Sequence, residues 1–448
     1  MSLRKQAASL AIMHAAEVLQ PLLILPYAGR VLGPHEFGHY AYAISIGQLA
    51  ATFVDYGFHW TGQRAAAPAR EDPAAIASLF AEVITTKVML CLLVTLAGLA
   101  AAGSIFAISK SMFLCTMLTS VGGILFPAWL FIALERVWQA TIAVVFARML
   151  AFVFFLTMVA SPDQLELAVA IQASIPLVSG ALSLPFVIPI GLSGFKSVTS
   201  SRVVMQLRDG WRGFLYALVE RAALTLPIPL VEHFSGYVAA GQYSVAEKFV
   251  SATRPFLRVM SETFLPRVAY YARHDPAAGV ALIWSSLFTV AVGAALSLFL
   301  FFAAPYVILG LFGEEYSGAI PIVRIMSIIP ILMNANVCTS NLYMFNFGHE
   351  RAWASLTVSG LLVFIAVACF LSLYLSDAAI AVAMGVVARE CVVLVVSAAF
   401  FLAFGAAKKR TSPPQSVGNP RTGRAAGSVL ASPAPAVSSW RNHFRSER

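Results

Sequence analysis

Charge is scarce in this chain. Asp, Glu, Lys and Arg make up 11% of its 448 residues, against about 25% in soluble domains. Apolar residues make up 59% and the mean hydropathy is +0.80. No soluble fold buries that much, so the composition indicates a polytopic membrane protein. Cysteine is also rare: Cys91, Cys115, Cys338, Cys369 and Cys391 stand singly in apolar segments, without a CxxC or a neighbouring His. That excludes a cysteine-based metal site and leaves them as packing residues. There is no GxxxxGK[ST] loop, so no ATP-driven pump of that kind is encoded. Long external connections are missing too, and no nucleophile stands beside a base, which argues against an enzyme. The apolar run after Arg4 and Lys5 is interrupted by His14, Glu17 and Gln20 and continues to Leu32. It reads as an uncleaved first span rather than a signal peptide.

Apolar windows of about 20 residues, cut at charged or Gly/Pro-rich breaks, give about 12 transmembrane helices and an all-α fold. Their spans are 8–33, 37–60, 76–102, 111–134, 138–160, 165–192, 211–233, 238–265, 279–311, 317–346, 352–375 and 378–404. Arg4, Lys5, Arg64, Arg70, Arg136, Lys196, Arg202, Arg208, Arg212, Arg267, Arg273, Arg351 and the basic tail fall on one side, and Arg30 and Lys110 on the other. The positive-inside rule then places both termini in the cytoplasm. The expected organisation is an N-terminal six-helix bundle over 1–192, a polar cytoplasmic linker over 193–210 and a C-terminal six-helix bundle over 211–404. A tail over 405–448, rich in Pro, Ser, Ala and Arg, has a disordered composition.

The stretch from Tyr243 to Pro266 carries Glu247, Lys248, Arg254, Arg258 and Glu262 within membrane-spanning length. Glu247, Ser251, Arg254, Arg258 and Glu262 recur at steps of three and four, one polar stripe along one helix. Charges at membrane depth face protein or a water-filled cavity. The plain alternative is internal ion pairing, Arg258 with Glu262 at i,i+4. A second stripe, Gln48, Thr52, Asp55 and His59, lies in the second helix. A shift of 203 lays Pro26 on Pro229, Gly38 on Gly241 and Tyr40 on Tyr243, and brings Gln48 onto Ser251 and Asp55 onto Arg258. A shift of 215 lays Glu135, Arg136 and Trp138 on Glu350, Arg351 and Trp353. With six helices per half, the duplication is parallel and its pseudo-twofold axis follows the membrane normal. Both stripes should line one shared cavity.

The first hairpin, with Leu25, Pro26, Tyr27, Arg30, Val31, Leu32, Gly33, Pro34, Phe37, Gly38 and Tyr40, resembles the opening of the polysaccharide-transporter (Wzx-type) flippases. These belong to the multidrug/oligosaccharidyl-lipid/polysaccharide exporter (MOP) superfamily. Asp55 to Phe58, Trp129 to Phe131 with Glu135 and Arg136, and Phe264 to Arg267 are similar to other family motifs. Ile132 and Ala133 stand where a Gln-Gly pair is usual. The resemblance implies two bundles forming a V around a central cavity that alternates between the two sides of the bacterial inner membrane. It also implies a polyprenyl-pyrophosphate-linked oligosaccharide as cargo, for O-antigen, exopolysaccharide or capsule biosynthesis. A polysaccharide polymerase and a chain-length regulator are the expected protein partners, and nucleic acid is not expected. The alternative within the superfamily is a cation-coupled multidrug antiporter, whose cavity should be acidic.

Pyrophosphate in a dry pathway needs cations, so the substrate-binding candidates are Arg254, Arg258, Lys248, Arg221, Arg148 and Gln48. Arg148 has no acid within one turn and must find its counter-charge on another helix; a buried inter-helix pair is its plain alternative. Arg221 follows Glu220 and Lys248 follows Glu247; adjacent residues point about 100° apart on a helix, so these acids are not expected to neutralise them. Arg30 reads as a snorkelling residue, and Arg324, Arg389 and Glu390 as structural. Glu17 and Asp55 are the coupling-ion candidates for a proton or sodium gradient; each has a structural pairing role as its alternative. No other cofactor is expected. Pro21, Pro26, Pro227 and Pro229 should bend the first and seventh helices.

Overall fold

The fold is that of a computed structural model, which describes residues 3–191, 194–195 and 198–405. Lys196 and the tail beyond 405 lie outside the described residues, as do the side chains of Arg258 and Glu262. Seventeen α-helices follow one another, with no strand among the described residues. They are α1 Leu3–Asp55, α2 Phe58–Ala66, α3 Pro73–Ala101, α4 Lys110–Leu125, α5 Ala128–Ala133, α6 Val137–Met158, α7 Leu165–Ala173, α8 Ile175–Gly191 and α9 Ser200–Thr225. After these come α10 Pro227–Ser251, α11 Arg254–His274, α12 Pro276–Ser286, α13 Phe288–Phe312, α14 Ala319–Met326, α15 Ile329–Asn336, a π-helical turn Val337–Phe345, α16 Glu350–Ser372 and α17 Ala378–Phe400. Side-chain caps start several of them. Asp72 accepts from the amides of Ala74 and Ala75 at 3.0 and 3.1 Å, and Asp377 from that of Ala379 at 2.8 Å, satisfying donors that a helix leaves open.

Among the described residues, ten helical stretches are long and apolar enough to cross a membrane. Two of them, Ala8–Ala66 and Ser200–Leu257, have 59 and 58 residues; straight, each would measure close to 90 Å, roughly three times the hydrocarbon thickness. Both break at a glycine. Gly33 has φ 71° and ψ 168°, and Gly236 has φ 76° and ψ −176°, a region that side chains avoid. The two glycines are 203 positions apart, so the register read from Pro26, Gly38 and Tyr40 extends to backbone conformation. The other register shifts. Glu135 at φ 57° and Gly348 at φ 85° close equivalent turns. There Arg136 N–H bonds Phe131 O at 2.8 Å, and His349 N–H bonds Met344 O at 2.9 Å. The backbone offset here is 213, not the 215 of the side-chain identities.

Residues 200–210, expected in a linker, are helical and belong to α9, where Arg202 and Gln206 bond Glu82 of α3. One expectation is corrected. The eighth-helix stripe is not continuous: α10 ends at Ser251 and α11 starts at Arg254, across Ala252 and Thr253. Pro255 is the cause, since it cannot donate to the carbonyl of Ser251 and its ring crowds that turn. Beyond it, α11 continues through Pro266 to His274.

The main apolar core joins α1 to the C-terminal helices. Ala28, Leu32 and Phe37 of α1 share it with Tyr243 and Val245 of α10, Phe312 of α13 and Phe364 of α16.

Candidate functional site

The second-helix stripe occupies the later part of α1. Gln48 is exposed although it lies well inside an apolar span. Asp55 is not free: its Oδ1 sits 2.6 Å from the Lys87 ammonium, which also donates to Gly123 O at 3.4 Å. Lys87 is 4% exposed and Asp55 39%. The signal for Lys87 was a lone lysine inside the apolar run of α3, overlooked because it shares no stripe. Oδ2 of Asp55 accepts from the His59 amide at 3.4 Å. Glu17 pairs with His14 at 3.1 Å.

Arg148 finds an amide rather than an acid. Its Nη1 donates to Gln20 Oε1 at 3.2 Å, and Gln20 donates onward to Gln172 Oε1 at 3.2 Å. Arg148 Nε is buried without a partner. This α6–α1–α7 chain uses Gln172, which no sequence pattern singled out.

In α10, the Lys248 ammonium lies 2.7 Å from Glu247 Oε2, and Ser251 Oγ donates to Glu247 Oε1 at 2.6 Å. The expectation that neighbouring residues would not neutralise each other fails here, because a four-carbon stem lets the ammonium swing back. Lys248 is thereby removed from the free cations. Arg254, one turn on, has no ion pair among the described residues, and its Nε is buried without a partner. Arg221 and Glu220 are both exposed on α9, and Arg221 also lacks an ion pair among the described residues. Arg389 pairs with Glu390 at 3.2 Å, and Asn336 Nδ2 donates to the same carboxylate at 2.7 Å. Arg324 lies over the Phe301 ring at 5.4 Å.

Glu82 was missed altogether. It is 7% exposed and accepts from Arg202 Nη1 at 2.7 Å, Gln206 Nε2 at 3.1 Å and Ser78 Oγ at 3.1 Å. Arg202 and Gln206, one turn apart, thus fasten the start of α9 to α3. Outside the spans, Arg70 lies 2.7 Å from Glu135. The hydrogen bonds from Arg70 and Gln6 hold the Glu135 carboxyl below the usual range.

Bent helical hairpins and exposed charged residues within apolar spans define a polytopic membrane transporter. The chain belongs to the family described as "Polysaccharide biosynthesis protein", which matches residues 3–272. It is 25% identical over 406 residues to the Escherichia coli (strain K12) protein named "Putative O-antigen transporter", covering 88% of this chain and 95% of that one. Two solved structures share the fold. One is the inward-facing conformation of a multidrug resistance MATE family transporter of the MOP superfamily, with TM-score 0.67, 16% identity and coverage of 88% and 96%. The other is the lipid II flippase MurJ in an inward closed conformation, with TM-score 0.66, 12% identity and coverage of 90% of both chains. The fold is therefore the two-lobed, all-α arrangement of that superfamily.

Proposed function

We propose that this protein is a flippase that moves a polyprenyl-pyrophosphate-linked oligosaccharide from the cytoplasmic to the periplasmic leaflet by alternating access, for assembly of a surface polysaccharide. The carrying observation is that Arg148, Arg221 and Arg254, all within the spans, lack an ion-pair partner among the described residues. An unpaired guanidinium in a dry pathway calls for an anion, and a pyrophosphate offers oxygens suited to its fork. Membership of a polysaccharide biosynthesis family supports the same cargo class. Glu17, Glu220 and Glu232 lack a Lys or Arg ion pair among the described residues, and they are the carboxylates we assign to a coupling proton or sodium ion. Polymerase and chain-length regulator would act on the cargo after release.

The test is complementation of a strain that lacks its own flippase. Arg254→Ala and Arg221→Ala should each weaken cargo handling about tenfold or more, the effect of a lost charge-assisted contact. Lipid-linked glycan should accumulate on the cytoplasmic leaflet at unchanged protein abundance. Full surface glycan in both variants would overturn the anionic-cargo reading.

A further inference from the structure

Arg30 is one of two basic residues on the side of the membrane that the Lys/Arg distribution makes external, and the structure gives it a task there. The last carbonyls of a helix have no partner within it. At the end of α13, Leu309 O is taken by the amide of Gly313 at 3.1 Å. Gly310 O and Leu311 O instead accept from Arg30 Nη2 at 2.6 Å and Nε at 2.7 Å. A cation is thus set on the negative end of a helix dipole, across 280 residues of chain.

The neighbouring residue completes the seam. Tyr316, fully buried, donates its hydroxyl to Gly29 O at 2.9 Å, and a Cβ on Gly29 would come within 2.8 Å of the Phe312 ring. On the same side, Gly38 of α1 meets Gly241 of α10. The buried contacts fix where the surfaces meet. Arg30 is exposed at the rim, so its bonds can be exchanged for water when the surfaces part.

We infer that Arg30 is a positioning residue for transport: by capping the carbonyl end of α13 it holds the external mouth closed, and it lets go when the cavity opens outward. This rests on the alternating-access reading above, but the experiment does not depend on cargo. Ser45 lies on the same face of α1 as Gly38, two turns or about 10 Å further in, and is buried. In the full-length protein in membranes, Ser45→Cys should react slowly with an impermeant thiol reagent added from outside, over the background of the five native cysteines. Adding Arg30→Ala should speed that reaction about threefold or more, since the closed state loses two charge-assisted bonds. Arg30→Gln, which keeps part of the stem and a donor, should fall between. An unchanged labelling rate in Arg30→Ala, or in Arg30→Gln if the alanine variant does not accumulate, would overturn the inference. If labelling rises as expected while the Arg254→Ala and Arg221→Ala variants export glycan normally, the latch stands and only the cargo assignment falls.

Discussion

Gly38 and Gly241 are 203 positions apart in the chain and back to back in the fold. A Cβ on Gly38 would strike the carbonyl oxygen of Tyr237 and lie 2.8 Å from the nitrogen of Gly241. A Cβ on Gly241 would strike the carbonyl oxygen of Pro34 and lie 3.2 Å from the nitrogen of Gly38. Tyr237 is itself 203 residues after Pro34, so the contact is reciprocal, as at a twofold interface. Small residues let membrane helices approach this closely.

Backbone carbonyls do not yield as side-chain tips do, so either glycine should be intolerant of enlargement. Gly38→Val is expected to cost about 1–3 kcal/mol through overpacking, seen as a lower melting temperature in detergent. A wild-type melting temperature would mean that the two helices can separate without loss.

The Lys87–Asp55 pair calls for a double substitution. Lys87→Met leaves Asp55 without its cation and should destabilise by about 1–3 kcal/mol. Asp55→Asn with Lys87→Met should restore stability because no orphaned charge is left. If the pair only braces α1 against α3, glycan export returns with stability. Export that stays absent in a stable double variant would give the pair a part in transport.

Removing the Glu82 carboxylate frees the start of α9. Glu82→Ala should cost about 1–2 kcal/mol, modest because Arg202 is half-exposed. Amide exchange over residues 200–210 should quicken, and protection equal to the native protein would show that apolar contacts alone hold this segment.

Topology can be tested with single cysteines. Ser161→Cys and Ser376→Cys should react with an impermeant reagent from the periplasm, and Ser200→Cys should not. The opposite pattern would invert the orientation drawn from the basic residues, and with it the external placing of Arg30.

Much of this architecture was legible in the chain. Apolar length set the spans, and the break at Gly33 was visible as the Leu-Gly-Pro that ends the first one. The match of Gly33 to Gly236 was within reach of the 203 register. The site was legible only in part. Stripe reasoning marked Gln48, Asp55 and Arg254 as candidates, because it looks for recurrence on one helix face. Lys87, Glu82 and Gln172 escaped it, since each is a single polar residue whose partner sits on another helix.

By itself the sequence determined what the solvent dictates: which segments must lie in hydrocarbon, which side is basic, and that charges in the spans must face protein or water. These follow from transfer free energies, which depend on composition and spacing alone. Which charge meets which was decided by tertiary structure. Asp55 is neutralised by Lys87 and Glu247 by Lys248, while Arg148 receives an amide and Arg30 a helix end. Those outcomes turn on distances of a few ångströms between helices far apart in the chain, and no periodicity along one helix records them.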